Sequence, residues 1–271
     1  MEWVPFFLLF GAIAGLLAGI FGVGGGAILV PMLIFVFTSM KFNEHHIAHL
    51  AVGTSFAAMI FTSSSSILSH HRAGNVRWAL WLVMAPMLAF GVAFGAFIAS
   101  NISSIYLLPV IGLFFSLMAV QMFFGFFPSA SKSEGPSASK AQLGGFGIGM
   151  VSSFFGIGGG TLTVPWLRFF SVPMHSAVAT SAACGLPIAV FGALSYLYFG
   201  MQADLEVARD FESGFIYMPA FIGIVVTSVP AAMFGARLAT RMSAQRLTQL
   251  FSILLFCVGM YVFANALHAL L

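Results

Sequence analysis

The sequence predicts an all-α polytopic membrane protein built from two inverted repeats of about four apolar segments, each repeat opening on a Gly-rich broken, or re-entrant, helix. Three observations predict it. The 271 residues are 60% hydrophobic and only 6% charged, whereas a soluble domain carries about 25% charged residues. Apolar runs recur along the chain, each near or above the roughly 20 residues a spanning helix needs. One Gly-rich stretch occurs twice: Phe21-Gly-Val-Gly-Gly-Gly-Ala-Ile-Leu-Val-Pro-Met-Leu33 returns as Phe155-Gly-Ile-Gly-Gly-Gly-Thr-Leu-Thr-Val-Pro-Trp-Leu167, at an offset of 134 residues and with 8 of 13 positions identical. Gly11 and Gly15 keep the same offset with Gly145 and Gly149.

Eight apolar segments follow in order: Val4–Phe37 (broken), His46–Leu68, Trp78–Ala99, Ser104–Phe127, Gly144–Phe170 (broken), Ser176–Phe199, Gly214–Ala236 and Leu247–Leu270. Pro128–Gln142, with five serines, two lysines and one glutamate, reads as a flexible, solvated, cytoplasmic linker. The repeats are then residues 1–127 and 143–271. In the first broken segment, Val4–Phe21 gives a helix of about 27 Å and Ala27–Phe37 one of about 17 Å, short for a crossing. A kinked crossing, a re-entrant hairpin and two tilted crossings all fit those lengths. The start does not read as a secretory signal, because Glu2 is the only charge before the apolar run.

Positive charge orients the chain, since Lys and Arg mark cytoplasmic loops. Arg72 and Arg77 follow the second segment, Lys132 and Lys140 lie in the linker, and Arg237, Arg241 and Arg246 lie between the last two. Asp204, Glu206, Asp210 and Glu212, with only Arg209, lie between segments six and seven. All three basic loops come inside if each broken segment turns back or crosses twice. The first half then starts outside and the second inside, which makes the repeats inverted and leaves the C-terminus outside.

Glycine triplets are poor helix formers, so each apolar run breaks there and a half-helix starts behind the break. Such an N-terminus offers unpaired N–H groups and partial positive charge to an anion. With half-helices starting near Ile28 and Leu162, Pro31 and Pro165 fall in the first turn, where a missing N–H costs nothing. Gly/Pro-interrupted hydrophobic segments at matching places in two repeats mark a transporter's binding site; close helix packing is the alternative use of the same glycines.

A second matched pair is His49-Leu-Ala-Val-Gly-Thr-Ser55 and His175-Ser-Ala-Val-Ala-Thr-Ser181, at an offset of 126. Thr54, Ser55, Thr180 and Ser181 put hydroxyls in apolar helices, to bond substrate oxygens or their own helix's carbonyls. His49 and His175 stand near helix starts, as proton or anion contacts or as interfacial residues. Glu44, His45, His46 and His49 have metal-ligand spacing but no counterpart in the second half, and no metal is expected. Ser63–Ser66, also unmatched, lines a cavity or packs. Cys184 and Cys257 sit far apart in apolar runs, as packing residues. All seven acids fall in loops or termini, which disfavours a carboxylate cation site and favours an anion.

The duplicated G-x-G-G-G-x-x-x-V-P element, the A-V-x-T-S element and the His71-Arg-Ala-Gly-Asn-Val-Arg-Trp78 loop resemble the TauE/SafE family of sulfite exporter-like permeases. The resemblance covers nearly the whole chain outside the linker. It implies a multi-pass carrier of the bacterial inner membrane for sulfite or an organosulfonate. Carried over by position, it implies substrate contacts at Gly24, Gly25, Gly26, Thr54, Ser55, Gly158, Gly159, Gly160, Thr161, Thr180 and Ser181. The halves differ where Ala179 replaces Gly53 and Thr161 replaces Ala27.

The expected function is therefore secondary transport of a small sulfur-containing anion by alternating access, with no cofactor. A passive anion channel and a membrane assembly or metal-binding factor are the rivals. An intramembrane enzyme is disfavoured, because no Gly-x-Ser-x-Gly, His-Glu-x-x-His or paired membrane carboxylate is present. Lipid is the expected partner, and a homo-oligomer is compatible with the sequence. The net charge of +3 is too small and scattered for nucleic acid.

Overall fold

The computed structural model describes residues 3–21, 25–72, 74–124, 135–203, 212–238 and 244–270. Among them are ten α-helices: α1 (Val4–Phe21), α2 (Gly26–Ser39), α3 (Ile47–Arg72), α4 (Trp78–Ser100), α5 (Ser104–Phe124), α6 (Ala138–Phe155), α7 (Gly159–Phe169), α8 (Met174–Gln202), α9 (Met218–Leu238) and α10 (Ala244–Leu270). The fold is that of an all-α polytopic membrane protein. The helices α3, α4, α5, α8 and α9 each contain a stretch long and apolar enough to cross a bilayer. Their outward faces are apolar, as lipid contact requires: Leu82, Phe90 and Phe97 on α4, and Tyr106, Leu117 and Phe124 on α5, are all more than half exposed.

The eight apolar segments become these ten helices because the two Gly-rich breaks split one helix from another. Both breaks use a residue in the left-handed region that glycine enters without a Cβ clash. Gly25, the residue before α2, has φ 83°, and Gly156, which ends α6, has φ 60°. Helix then resumes earlier than the sequence suggested, at Gly26 and Gly159. Pro31 and Pro165 consequently sit in the second turn of α2 and α7, not the first. There each proline removes an intrahelical hydrogen bond, to the carbonyl four residues back, which is that of Ala27 in α2 and Thr161 in α7. The short helices differ in surroundings: α2 is buried along almost its whole length, while α7 keeps a partly exposed face.

Two further differences from the sequence expectation concern the loops. Helix α6 starts at Ala138, so residues 138–142 of the expected linker are helical; residues 125–134 lie outside the described residues. The seventh apolar segment begins as a two-stranded antiparallel hairpin, β1 (Glu212–Ser213) and β2 (Ile216–Tyr217), with Phe215 and Ile216 buried against the bundle. The charged stretch before it, with Asp204, Glu206, Arg209 and Asp210, lies outside the described residues, as do Glu2, Lys132, Glu134 and Arg241.

The packing is symmetric under exchange of the repeats. By sequence correspondence and order, α1 to α5 answer to α6 to α10. The four main seams are α1 on α9, α4 on α6, α5 on α10 and α3 on α8. The first two are images of each other, and the last two are images of themselves. The opening helix of each repeat therefore packs along the fourth helix of the other. Small residues let these helices approach closely, as is common in lipid. A Cβ on Gly15 would overlap the Ser228 backbone of α9, and one on Gly149 would overlap the Leu88 carbonyl of α4. Gly91 and Gly95 of α4, and Gly235 of α9, complete the seams from the other side. The matched pairs Gly11/Gly15 and Gly145/Gly149 are thus packing glycines, distinct in use from the triplets.

Candidate functional site

The two breaks meet inside the bundle. A Cβ on Gly26, the first residue of α2, would overlap both the Gly156 carbonyl oxygen and the Met59 sulfur, and would lie 3.1 Å from Ile157 Cα. Ser55 of α3 donates its hydroxyl to the Gly156 carbonyl at 3.1 Å, so a side chain of the first repeat braces the break of the second. Neither α2 nor α7 receives a side-chain cap at its N-terminus, because Gly25 and Gly158 have no side chain to give. Gly25, Gly26, Gly158, Gly159, Gly160, Thr161, Thr54, Ser55, Thr180 and Ser181 are all buried. Gly24 lies outside the described residues.

The matched threonines share one job. Thr54 Oγ1 accepts the N–H of Tyr217 at 3.0 Å, and Thr180 Oγ1 accepts the N–H of Arg77 at 3.0 Å. Tyr217 immediately precedes α9 and Arg77 immediately precedes α4. Each threonine therefore binds a backbone donor at the start of the other repeat's fourth helix, a group that helix geometry leaves without a partner. The serines differ: Ser55 reaches across to Gly156, whereas Ser181 turns back to the Val178 carbonyl at 2.8 Å. Thr161 bonds the Gly158 carbonyl at 3.3 Å.

The two histidines are not equivalent. His49 is 2% exposed, with Nε2 3.0 Å from the Ala99 carbonyl, Nδ1 3.0 Å from Ser104 Oγ, and its ring stacked on Phe215 at 4.9 Å. Ser104 Oγ in turn accepts the N–H of Ala48. Both ring nitrogens are thereby engaged, and the ring ties α3 to the end of α4 and the start of α5. His175 is exposed at the first turn of α8. Outside the spans, His46 is held below the usual histidine pKa by burial and, secondarily, by the neighbouring His45 charge. Among the described residues no three His, Cys, Asp or Glu side chains gather as a metal site. The described acids, Glu44 and Glu212, lie in a turn and in β1.

Other polar groups at the centre were not singled out by any matched motif. Ser63 of α3 and Thr163 of α7 are fully enclosed, and their hydroxyls have no hydrogen-bond partner in the structure. A Cβ on Gly185 of α8 would sit 3.2 Å from Ser63 Oγ and 3.7 Å from the Gly159 nitrogen. The serine run 63–66 was the only sequence signal pointing here. Tyr196 of α8 donates its hydroxyl to the Ser153 carbonyl at 2.7 Å, locking α8 to α6 just before the second break.

Compared with known proteins, residues 7–262 match the family model described as Sulfite exporter TauE/SafE. The chain belongs to this family. A protein of Haemophilus influenzae described as a probable membrane transporter protein is 30% identical over 256 residues, covering 94% of this chain and 96% of its own length. The probable membrane transporter protein MJ0441 of Methanocaldococcus jannaschii is 25% identical over 260 residues, covering 96% of this chain and 95% of its own. The probable membrane transporter protein YdhB of Bacillus subtilis is 25% identical over 234 residues, covering 84% and 87%. No solved structure matches the chain. Both Gly-rich elements and both Thr-Ser pairs of this TauE/SafE member fall within the matched residues.

Proposed function

We propose that the protein is a secondary transporter of the cytoplasmic membrane that carries a small anion, sulfite or an organosulfonate, by alternating access. The observation that carries this reading is the meeting of the two Gly-rich breaks, the start of α2 lying against Gly156 and Ile157, with neither α2 nor α7 capped by a side chain. Backbone N–H groups and helix dipoles there favour negative charge. The family assignment supports transport, and its description supports a sulfur oxyanion. The repeats would lie inverted across the membrane, so that each break is reached from the opposite side. Burial of the described site residues favours a carrier over an open anion channel.

Proteoliposome counterflow tests the reading. Vesicles loaded with sulfite or sulfoacetate should accumulate labelled anion against its gradient, and uptake should saturate. Linear, non-saturating flux without counterflow would instead establish a channel. No anion-dependent flux at all would remove the reading. A bulky residue at the triplets is a poor probe of binding. Gly25 has a left-handed φ, and a Cβ on Gly159 would stand 2.5 Å from the Ser181 carbonyl oxygen, so leucine at either place disturbs the backbone itself.

A further inference from the structure

The loops that precede the two matched fourth helices are built alike and filled differently. Gly74 and Arg77 before α4 answer to Gly214 and Tyr217 before α9, at an offset of 140 residues that Gly95 and Gly235 also keep. Gly74 and Gly214 both turn in the left-handed region, with φ 69° and 55°. Three residues on, each loop gives an N–H to a matched threonine, Arg77 to Thr180 and Tyr217 to Thr54. Between those points stand Asn75 in one loop and Phe215 in the other. Asn75 is partly exposed, and a Cβ on Gly74 would meet nothing within 4 Å. Phe215 is 1% exposed and stacked on His49 at the start of α3, and its N–H is donated to the Tyr196 carbonyl of α8 at 3.2 Å. Two glycines make room for it. A Cβ on Gly53 of α3 would overlap the Phe215 carbonyl oxygen, and one on Gly200 of α8 would overlap its nitrogen. The position matched to Gly53 is Ala179, so the first loop cannot approach α8 in the same way. Tyr217, on the same side of its strand as Phe215, packs its ring among Phe7, Phe37 and Phe42 at 5.2–6.2 Å.

Gly53 lies beside Tyr196 and Ser63 beside Gly185, so α3 and α8 run antiparallel. Their seam passes both breaks, with Ser55 at Gly156 and Ser181 at Gly159. We infer that the β1–β2 hairpin is a gate: Phe215 closes one end of this seam, and an anion passes that end only when the ring leaves its seat. This inference rests on the transport reading above and adds a moving part to it. The fold itself does not need the insertion, since the Gly74–Arg77 loop makes the same turn and the same threonine bond without one. The seat is formed by two helices, one from each repeat, so a motion of one repeat against the other loosens the ring. The two ends of the seam are then unlike, one shut by an aromatic wedge and the other flanked by Asn75 and Arg77.

The test uses the full chain, purified and reconstituted, with a reporter thiol one turn beyond Gly53 on the same face of α3. Ala57 is buried there, and Ala57→Cys in a Cys184→Ala, Cys257→Ala background gives the parent. A water-soluble maleimide should label the parent slowly. Phe215→Ala should speed labelling about tenfold or more, because a buried thiol reacts in proportion to the open population. Gly53→Ala keeps the ring but denies it the seat, and should do the same in a helix that alanine favours. Asn75→Ala and Ala179→Gly, the matched changes at the other end, should stay within about twofold of the parent. So should Phe115→Ala, which removes an equally buried ring from α5. In vesicles loaded with labelled sulfite or sulfoacetate, Phe215→Ala and Gly53→Ala should raise efflux into anion-free buffer about tenfold. If a folded Phe215→Ala or Gly53→Ala protein labels and leaks like the parent, the gate is wrong while the transport reading stands. If Phe115→Ala speeds labelling as much, Phe215 is packing and the inference falls. If Asn75→Ala or Ala179→Gly does so, the ends are alike and it falls as well. If wild type moves neither anion, the transport reading fails and the gate with it, whatever the labelling rates.

Discussion

Ser55 and Gly156 are separated by 101 residues in sequence, yet the serine hydroxyl donates to the glycine carbonyl at 3.1 Å. The bond joins α3 to the break between α6 and α7, and it holds a peptide that no regular helix supports. Ser55→Ala should therefore cost stability as well as flux. Leaving a buried carbonyl short of a donor costs about 1–3 kcal/mol. Thermal unfolding in detergent should show a lowered midpoint without anion. An unchanged midpoint with lost flux would make Ser55 a ligand contact and not a brace.

The exchanged seams predict a sharp contrast within one helix. Gly149→Leu drives a side chain into the Leu88 carbonyl of α4 and should prevent a monodisperse, folded protein from being recovered. Gly147, two residues earlier, has nothing within 4 Å of where its Cβ would be. Gly147→Ala should express at least as well as wild type, since alanine favours helix over glycine by about 1 kcal/mol. Size-exclusion profiles of the two variants decide the matter.

Acid should destabilise the protein through His46. Its ring lies against Phe215 at 5.7 Å and His49 at 6.3 Å, and burial and His45 keep its pKa below the usual value. The unfolded chain takes up this proton near pH 6.5, the folded protein only at lower pH. The contribution to stability is thus full above about pH 6.5 and is lost as the pH falls toward the folded pKa. The melting midpoint should decline between pH 7 and pH 5, and the decline should be shallower in His46→Gln. Equal slopes would place the acid sensitivity on another group.

The inverted arrangement predicts an external C-terminus and an internal linker. A reporter active only in the periplasm, fused after Leu271, should be active, and one fused after residue 127 should not. The reverse pattern at Leu271 would remove the inversion.

Much of the fold was legible because lipid imposes long apolar runs, and the repeated Gly-rich element marked where two of them break, between α1 and α2 and between α6 and α7. The breaks were legible for the same reason: three glycines and a proline at a constant offset have few uses inside a membrane. The role of Thr54 and Thr180 was not, because their partners, Tyr217 and Arg77, are brought to them only by the exchange of helices between repeats. His49 and His175 look like a pair in sequence, yet one is locked against Ala99 and Ser104 and the other is exposed. Ser63 and Gly185 carry no motif at all. Their relation depends on how α3 crosses α8, which no local pattern records.

The exchange of helices also sets the order in which the protein can be built. Helix α1 leaves the ribosome well before α9, whose Thr227 hydroxyl bonds the Leu8 carbonyl across 219 residues. Until then the glycine face of α1 has no lasting partner, and the first repeat alone lacks all four main seams. The nascent chain must therefore hold an unfinished bundle in the membrane until its last helices arrive.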